Sequence, residues 1–365
     1  SDNRFVRGPR VGSMFEKSTW IKLPRSVVVG HGTIDRVPEA VADLHLAGRP
    51  LVVTSPTPND IAGERLRDGL AGVGPAAETV VAKEARFETV ERVIETARAE
   101  EAGYLVGLGG GKPIDIAKMA ADELDVGFVS VPTTASHDGI VSGRGSVPEG
   151  DTRHSVAADP PLAVIADTEL IANAPWRLTT AGCADIISNY TAVKDWQLAN
   201  RLKNVEYSEY AGELSQLTAE MLVSRADSVK RELEESAWLV TKALVSSGVA
   251  MSIADSSRPA SGAEHLISHQ LDRLAPDAAL HGHQVGVASI VTEYLHSGND
   301  GEWTQVRDAL ASIDAPVTTG ELDIDGETFI EAVTTAHEIR DRYTILGDGM
   351  SEGAAIEAAT VTGVL

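Results

Sequence analysis

Six short runs rich in β-branched residues punctuate the first half of the chain, at 26–29, 51–54, 79–82, 104–107, 127–131 and 162–166. Between them the apolar positions switch to helical spacing, at 34–44, 58–73, 88–100 and 113–122. Strands alternating with amphipathic helices predict a mostly parallel sheet wrapped by crossovers. From 138 to 158 the helical signal lapses into Gly-rich polar runs, which predict a hairpin or loop over one face. Beyond Pro175 strand-like alternation nearly vanishes, and 181–200, 207–223, 235–252 and 304–311 read as helices. The expected fold is an α/β N-terminal, Rossmann-like domain over residues 14–175 joined to an all-α C-terminal domain over residues 176–365. The active site is expected in the interdomain cleft. No repeat of fixed period and no low-complexity tract occurs.

Composition narrows the class. With 43% hydrophobic and 23% charged residues the chain is neither disordered nor fibrous. No apolar run reaches the roughly 18 residues of a membrane span, so none is expected. Residues 1–14 hold three arginines and no apolar stretch, so no secretory signal is expected, and Met14 reads as an older start.

Charge changes the picture more. Fifty-four acidic residues against 31 basic ones leave a formal charge of -23, and nine of the 31 cations are lysine. Without a basic stripe no nucleic-acid partner is expected. A carboxylate surplus keeps a protein soluble where salt screens its self-repulsion, which predicts the cytoplasm of a halophile. The single cysteine, Cys183, cannot form an internal disulfide and reads as a small buried side chain in a reducing interior.

Chemistry first emerges at 104–113, Tyr-Leu-Val-Gly-Leu-Gly-Gly-Gly-Lys-Pro, a strand that runs into four glycines and then a proline suited to the first turn of a helix. Such a turn bares backbone N–H groups at a helix N-terminus, where a diphosphate can rest. It is not a P-loop, because Val106 and Pro113 stand where Gly and Ser or Thr are required, and Lys112 replaces a glycine of the Rossmann fingerprint. Further on, five of the ten histidines fall between 265 and 296. His265 and His269 share a helix face, His281 and His283 open another helix, and Asp185 offers a carboxylate. Two imidazoles and one carboxylate hold a divalent ion with a position open for substrate. Spacing does not choose the two histidines.

The strings at 109–118 (Gly-Gly-Gly-Lys-Pro-Ile-Asp-Ile-Ala-Lys), 131–139 (Val-Pro-Thr-Thr-Ala-Ser-His-Asp-Gly), 183–185 (Cys-Ala-Asp), 256–269 (Ser-Ser-Arg-Pro-Ala-Ser-Gly-Ala-Glu-His-Leu-Ile-Ser-His) and 281–283 (His-Gly-His) resemble those of the archaeal sn-glycerol-1-phosphate dehydrogenases. That family belongs to the superfamily of glycerol dehydrogenase, iron-containing alcohol dehydrogenase and dehydroquinate synthase, and the resemblance runs from about Met14 to the C-terminus. It implies NAD or NADP held at its diphosphate by Gly111, Lys112, Pro113, Ile114 and Asp115. Thr133, Thr134, Ala135 and Ser136 then line the nicotinamide side, with Ser142 a further contact. It also implies one zinc ion on Asp185, His265 and His281, and substrate contacts from Asp138, Asp185 and His269, leaving His283 a supporting or surface role.

The implied reaction is the reversible reduction of dihydroxyacetone phosphate to sn-glycerol 1-phosphate, the backbone of archaeal ether lipids. Zinc polarises the ketone oxygen, the reduced nicotinamide delivers hydride, Asp138 and His269 fix the hydroxyls, and a solvent chain gated by His269 supplies the proton. Assembly as a homo-oligomer is implied, with no membrane insertion. A phosphorylated substrate in so acidic a chain needs local positive charge. Arg258, just before free N–H groups expected near Ser261, is the candidate, and Arg258→Ala is expected to raise KM for the phosphorylated ketone most. Lys112 is assigned to cofactor phosphates, Lys118 to a solvated helix face, and Trp176, Trp196 and Trp238 to core or interdomain packing. Rival readings are a glycerol (polyol) dehydrogenase, a dehydroquinate synthase-like lyase and a non-catalytic NAD- and metal-binding protein. His137, where many glycerol dehydrogenases are expected to carry Thr, and the 256–269 string disfavour the first, and Asp185 in place of the usual Glu disfavours the second. No acidic residue stands at the end of the 51–54 run to repel a 2′-phosphate, so both NAD and NADP fit. Nickel or iron would also suit the ligand set.

Overall fold

The computed structural model describes residues 20–149, 152–276 and 278–365. The expected domain start at Met14 lies outside them. Eight strands are described: β1 (Ser26–Gly30), β2 (Arg49–Thr54), β3 (Glu78–Val81), β4 (Ala102–Gly109), β5 (Gly127–Pro132), β6 (Arg144–Glu149), β7 (Thr152–Ala157) and β8 (Ala163–Asp167). Six of them make one parallel sheet in the order β1-β8-β5-β4-β2-β3, while β6 and β7 pair antiparallel as the expected hairpin. Leu105, Val106 and Leu108 of β4 have no exposed surface, because helices cover both faces of the sheet.

The crossovers are α1 (Val37–Asp43), α2 (Pro56–Pro58), α3 (Glu64–Ala71), α4 (Phe87–Ala99) and α5 (Gly111–Leu124). The helix expected at 58–73 is divided: α2 passes into a π turn at Asn59–Gly63 before α3 begins. From Thr168 on, the described chain is helical: α6 (Thr168–Ala172), α7 (Trp176–Lys203), α8 (Glu209–Arg225), α9 (Glu234–Ala254), α10 (Ala263–Leu274), α11 (His281–Ser297), α12 (Trp303–Ser312), α13 (Gly326–Thr335) and α14 (Glu352–Val361).

Helix α7 is the axle of this half. Small and apolar residues surround it on all sides, so it packs at once against α8, α9 and α11 and brings Asp185 to the core. Helix α9 is long and apolar enough to cross a membrane by composition, yet Val240, Leu244 and Ala250 are fully buried against the rest of the fold. Cys183 is buried as expected, and burial pushes its thiol up to about 12. Two expectations fail. Lys118 is not on a solvated face but 1% exposed, because the β6–β7 hairpin lies over α5. Trp196 is buried, but Trp238 is 44% exposed, with Lys242 over its ring.

Candidate active site

Strand β4 ends at Gly109 with φ 143°, a conformation open to glycine alone, and Gly110 then caps α5. A Cβ on Gly111 would lie 1.8 Å from Nε2 of His137, so the imidazole needs that bare backbone. Thr134 Oγ1 stands 3.0 Å from where a Gly110 Cβ would be. The Thr134 and Ser142 hydroxyls are buried with no hydrogen-bond partner among the described residues. Such groups are costly unless satisfied, so a polar cofactor along the glycine turn fits them. Lys112 is exposed at the turn, and Pro113 and Ile114 are buried inside α5. The Asp115 carboxylate is committed within the protein, accepting from Lys118 Nζ at 3.2 Å and from Ser146 N at 3.1 Å. Thr133, Ala135 and Ser136 follow β5, where a Cβ on Gly182 of α7 would meet the Ala135 carbonyl oxygen at 1.9 Å. That close approach seats the helical half against the sheet's rim.

Across this seam three helices bring together Asp185 (α7), His265 (α10) and His281 (the first residue of α11), with ligand atoms all within 4.8 Å of one another. His265 Nε2 lies 3.6 Å from Asp185 Oδ1. On its other side Nδ1 meets Glu264 Oε1 at 3.0 Å, and Glu264 also accepts from Thr191 Oγ1. Burial opposes a charge on His265, but hydrogen bonds from Asp185 and Glu264 outweigh it and push the imidazole up to about 9. Asp138 is pushed up to about 7 by burial and by the neighbouring Asp185, against the pull of Ser247. A pocket that draws protons this strongly is short of positive charge, and its two imidazoles and one carboxylate are the donor set of a divalent ion.

His269 lies beside the triad, its ring centroid 5.6 Å from that of His281. His283 is turned away, with Nε2 2.9 Å from Thr180 Oγ1, and burial together with Arg177 pushes it down to about 4. The N–H groups expected free at the start of α10 are taken: Gly262 N donates to Glu264 and Ala263 N to Asp195. Arg258 donates to the Tyr343 carbonyl at 3.4 Å. A cavity of about 140 Å³ joins His137, Asp138 and Ser142 to Asp185, His265, His269 and His281, with Arg144 and Arg340 on its wall. Glu264, Ser268, Arg144 and Arg340 went unnoticed as site residues in the sequence. Glu264 alone carried a signal, as the carboxylate next to a candidate ligand.

Residues 28–175 match the family model described as iron-containing alcohol dehydrogenase. Among curated relatives, the glycerol-1-phosphate dehydrogenase (NAD(P)+) of Natronomonas pharaonis is 78% identical over 352 residues, covering 96% of this chain and 100% of that protein. The protein of the same description from Haloarcula marismortui is 73% identical over 352 residues, with the same coverage of both. Among solved structures, the glycerol dehydrogenase of Schizosaccharomyces pombe matches with a TM-score of 0.80 at 20% identity, over 95% of this chain and 90% of that one, a likeness of fold. Over residues 28–175 the parallel sheet with its glycine turn thus matches the iron-containing alcohol dehydrogenase family. By its identity over nearly the full length, the chain belongs to the glycerol-1-phosphate dehydrogenases.

Proposed function

We propose that the chain catalyses the reversible NAD(P)H-linked reduction of dihydroxyacetone phosphate to sn-glycerol 1-phosphate. The observation that carries this reading is the meeting of Asp185, His265 and His281 beside the glycine turn, in a chain so similar to enzymes of that description. A divalent cation, taken here as zinc, supplies Lewis-acid polarisation of the ketone oxygen, and a bound reduced nicotinamide supplies the hydride. Asp185, His265 and His281 hold the cation, and Glu264 and Ser268 orient the two imidazoles. The turn from Gly111 to Asp115 receives the cofactor diphosphate, offering the backbone N–H groups that precede Pro113, with Lys112 at its rim. Thr133 to Ser136 and Ser142 line the nicotinamide, and the free hydroxyls of Thr134 and Ser142 supply polar contacts. Asp138, fixed by Ser247 Oγ at 2.8 Å, and His269 orient the substrate hydroxyl, which selects the face attacked. A solvent path past His269 carries the proton. The reading assigns the enzyme to the cytoplasm, at the entry to the ether-lipid backbone.

The test is turnover of the purified protein in concentrated salt. NADH and NADPH are each offered with dihydroxyacetone phosphate, the product's chirality is determined, and metal content is measured before and after chelation. Glycerol 1-phosphate formed only by metal-loaded protein is expected, with zinc restoring the rate. The opposite enantiomer, or turnover untouched by chelation, overturns the reading.

A further inference from the structure

A dianionic phosphate must be held by a chain of net charge -23, and general field attraction cannot hold it. In concentrated salt the screening length is only about 3 Å, so direct contact alone can tell a phosphate from a hydroxyl. Two arginines line the cavity of the metal triad: Arg144, the first residue of β6, and Arg340, in the irregular stretch before α14. The charge that acts on Arg340 is another cation: burial and then Arg144 push it below the usual arginine range. Arg342, two residues on, is pushed down to about 9 by burial, Arg340 and Arg258. Of these four arginines Arg144 and Arg340 line the cavity, and the other two are already occupied. Arg342 donates to Ser257 Oγ and the Ser261 carbonyl, and Arg258 to the Tyr343 carbonyl. Arg144 is held in place by its backbone, because the buried Lys118 donates to its carbonyl at 2.6 Å and to that of Gly139, beside Asp138, at 2.6 Å. Two half-buried guanidiniums that repel each other across a cavity are relieved by an anion between them, and the planar fork of arginine fits phosphate oxygens in pairs.

We infer that Arg144 and Arg340 form the phosphate subsite by which the enzyme selects a phosphorylated ketone, and that Arg258 and Arg342 lie outside it. This rests on the proposed reaction, and it moves the role expected of Arg258 to Arg144 of the hairpin and Arg340 of the helical half. The test measures binding of inorganic phosphate by calorimetry to wild type, Arg144→Gln, Arg340→Gln, Arg340→Lys and Arg258→Ala. In parallel it compares kcat/KM for dihydroxyacetone phosphate with that for dihydroxyacetone. Each Gln variant is expected to lower phosphate affinity and the phosphorylated-to-plain ratio by about ten- to hundredfold. Arg340→Lys should fall between, and Arg258→Ala should change the ratio less than about threefold, below one charged contact. NADH titration reports on the fold, and if a Gln variant fails it, Arg340→Lys decides. An unchanged ratio in the folded variants overturns the subsite, as does an equal loss in Arg258→Ala. If wild type binds phosphate through these arginines but reduces neither ketone, the subsite stands and the proposed reaction falls.

Discussion

At the triad the orientation of His281 is fixed by a chain of residues outside the ligand set. Gln284 Nε2 donates to Asp272 Oδ1 at 3.2 Å, Ser268 Oγ donates to Gln284 Oε1 at 2.6 Å, and His281 Nδ1 lies 2.9 Å from Ser268 Oγ. A carboxylate only accepts, so the amide must turn its NH₂ toward Asp272 and its oxygen toward Ser268. The single hydroxyl proton then goes to Gln284, and the serine oxygen accepts Nδ1–H of His281, which leaves Nε2 bare for a cation. Ser268→Ala is therefore expected to weaken zinc binding by about 10- to 100-fold while cofactor binding stays near wild type. Competition against a calibrated chelator measures this, and unchanged zinc affinity would sink the tautomer argument.

At the scale of elements the decisive contact is the β6–β7 hairpin on α5. Its buried Lys118 uses one ammonium for three acceptors, Asp115 and the carbonyls of Gly139 and Arg144. Lys118→Met would strand all three in the interior, and a loss of about 3–5 kcal/mol in unfolding free energy is expected. Denaturant titration in high salt checks it; a loss below about 1 kcal/mol would mean that the hairpin does not depend on this lysine. The same element explains what the sequence could tell. The glycine turn was legible because its requirement is local: a left-handed Gly109 and bare N–H groups leave their mark in consecutive residues. The sheet strands were legible because continuous apolar runs reflect cover on both faces. Lys118 was misread because helical spacing shows which side a residue occupies but not that a later hairpin will cover it. The choice between His269 and His281 as ligand was hidden for the same reason, since it depends on how α11 meets α7. Arg144 and Arg340 come from distant parts of the chain.

Over the whole molecule two electrostatic terms oppose each other. His31 Nδ1 lies 3.0 Å from Glu234 Oε1, which also accepts through its other oxygen from Thr168, joining the end of β1 to α9. Glu234 raises the imidazole above its ordinary 6.5, and Thr168 and His31 lower the carboxyl below its ordinary 4.5. The histidine term is complete below 6.5 and lost as pH rises through the raised value. The carboxylate term is present above 4.5 and lost on acidification. The pair thus contributes most between 4.5 and 6.5. His31→Gln should lower stability most in that window, fading on either side of it, and chiefly in dilute salt, because the pair is exposed. A pH-independent difference between the two proteins would refute it.

Such pairs, with Arg65–Asp35 and Arg36–Glu39 among them, strengthen as salt is removed, but only weakly because they are exposed. The -23 imbalance acts in the other direction. Diluting salt from about 1 M to 0.1 M lengthens the screening distance from about 3 to about 10 Å, so unpaired carboxylates that ignored one another begin to repel across the surface. Since 54 acidic groups face 31 basic ones, repulsion outweighs the few exposed pairs. Tm is therefore expected to fall on dilution, while phosphate binding to whatever protein stays folded tightens, because its contacts are also less screened. Thermal melts and phosphate titrations over one salt series separate the two, and a Tm that rises on dilution would show that paired rather than unpaired charge governs this fold.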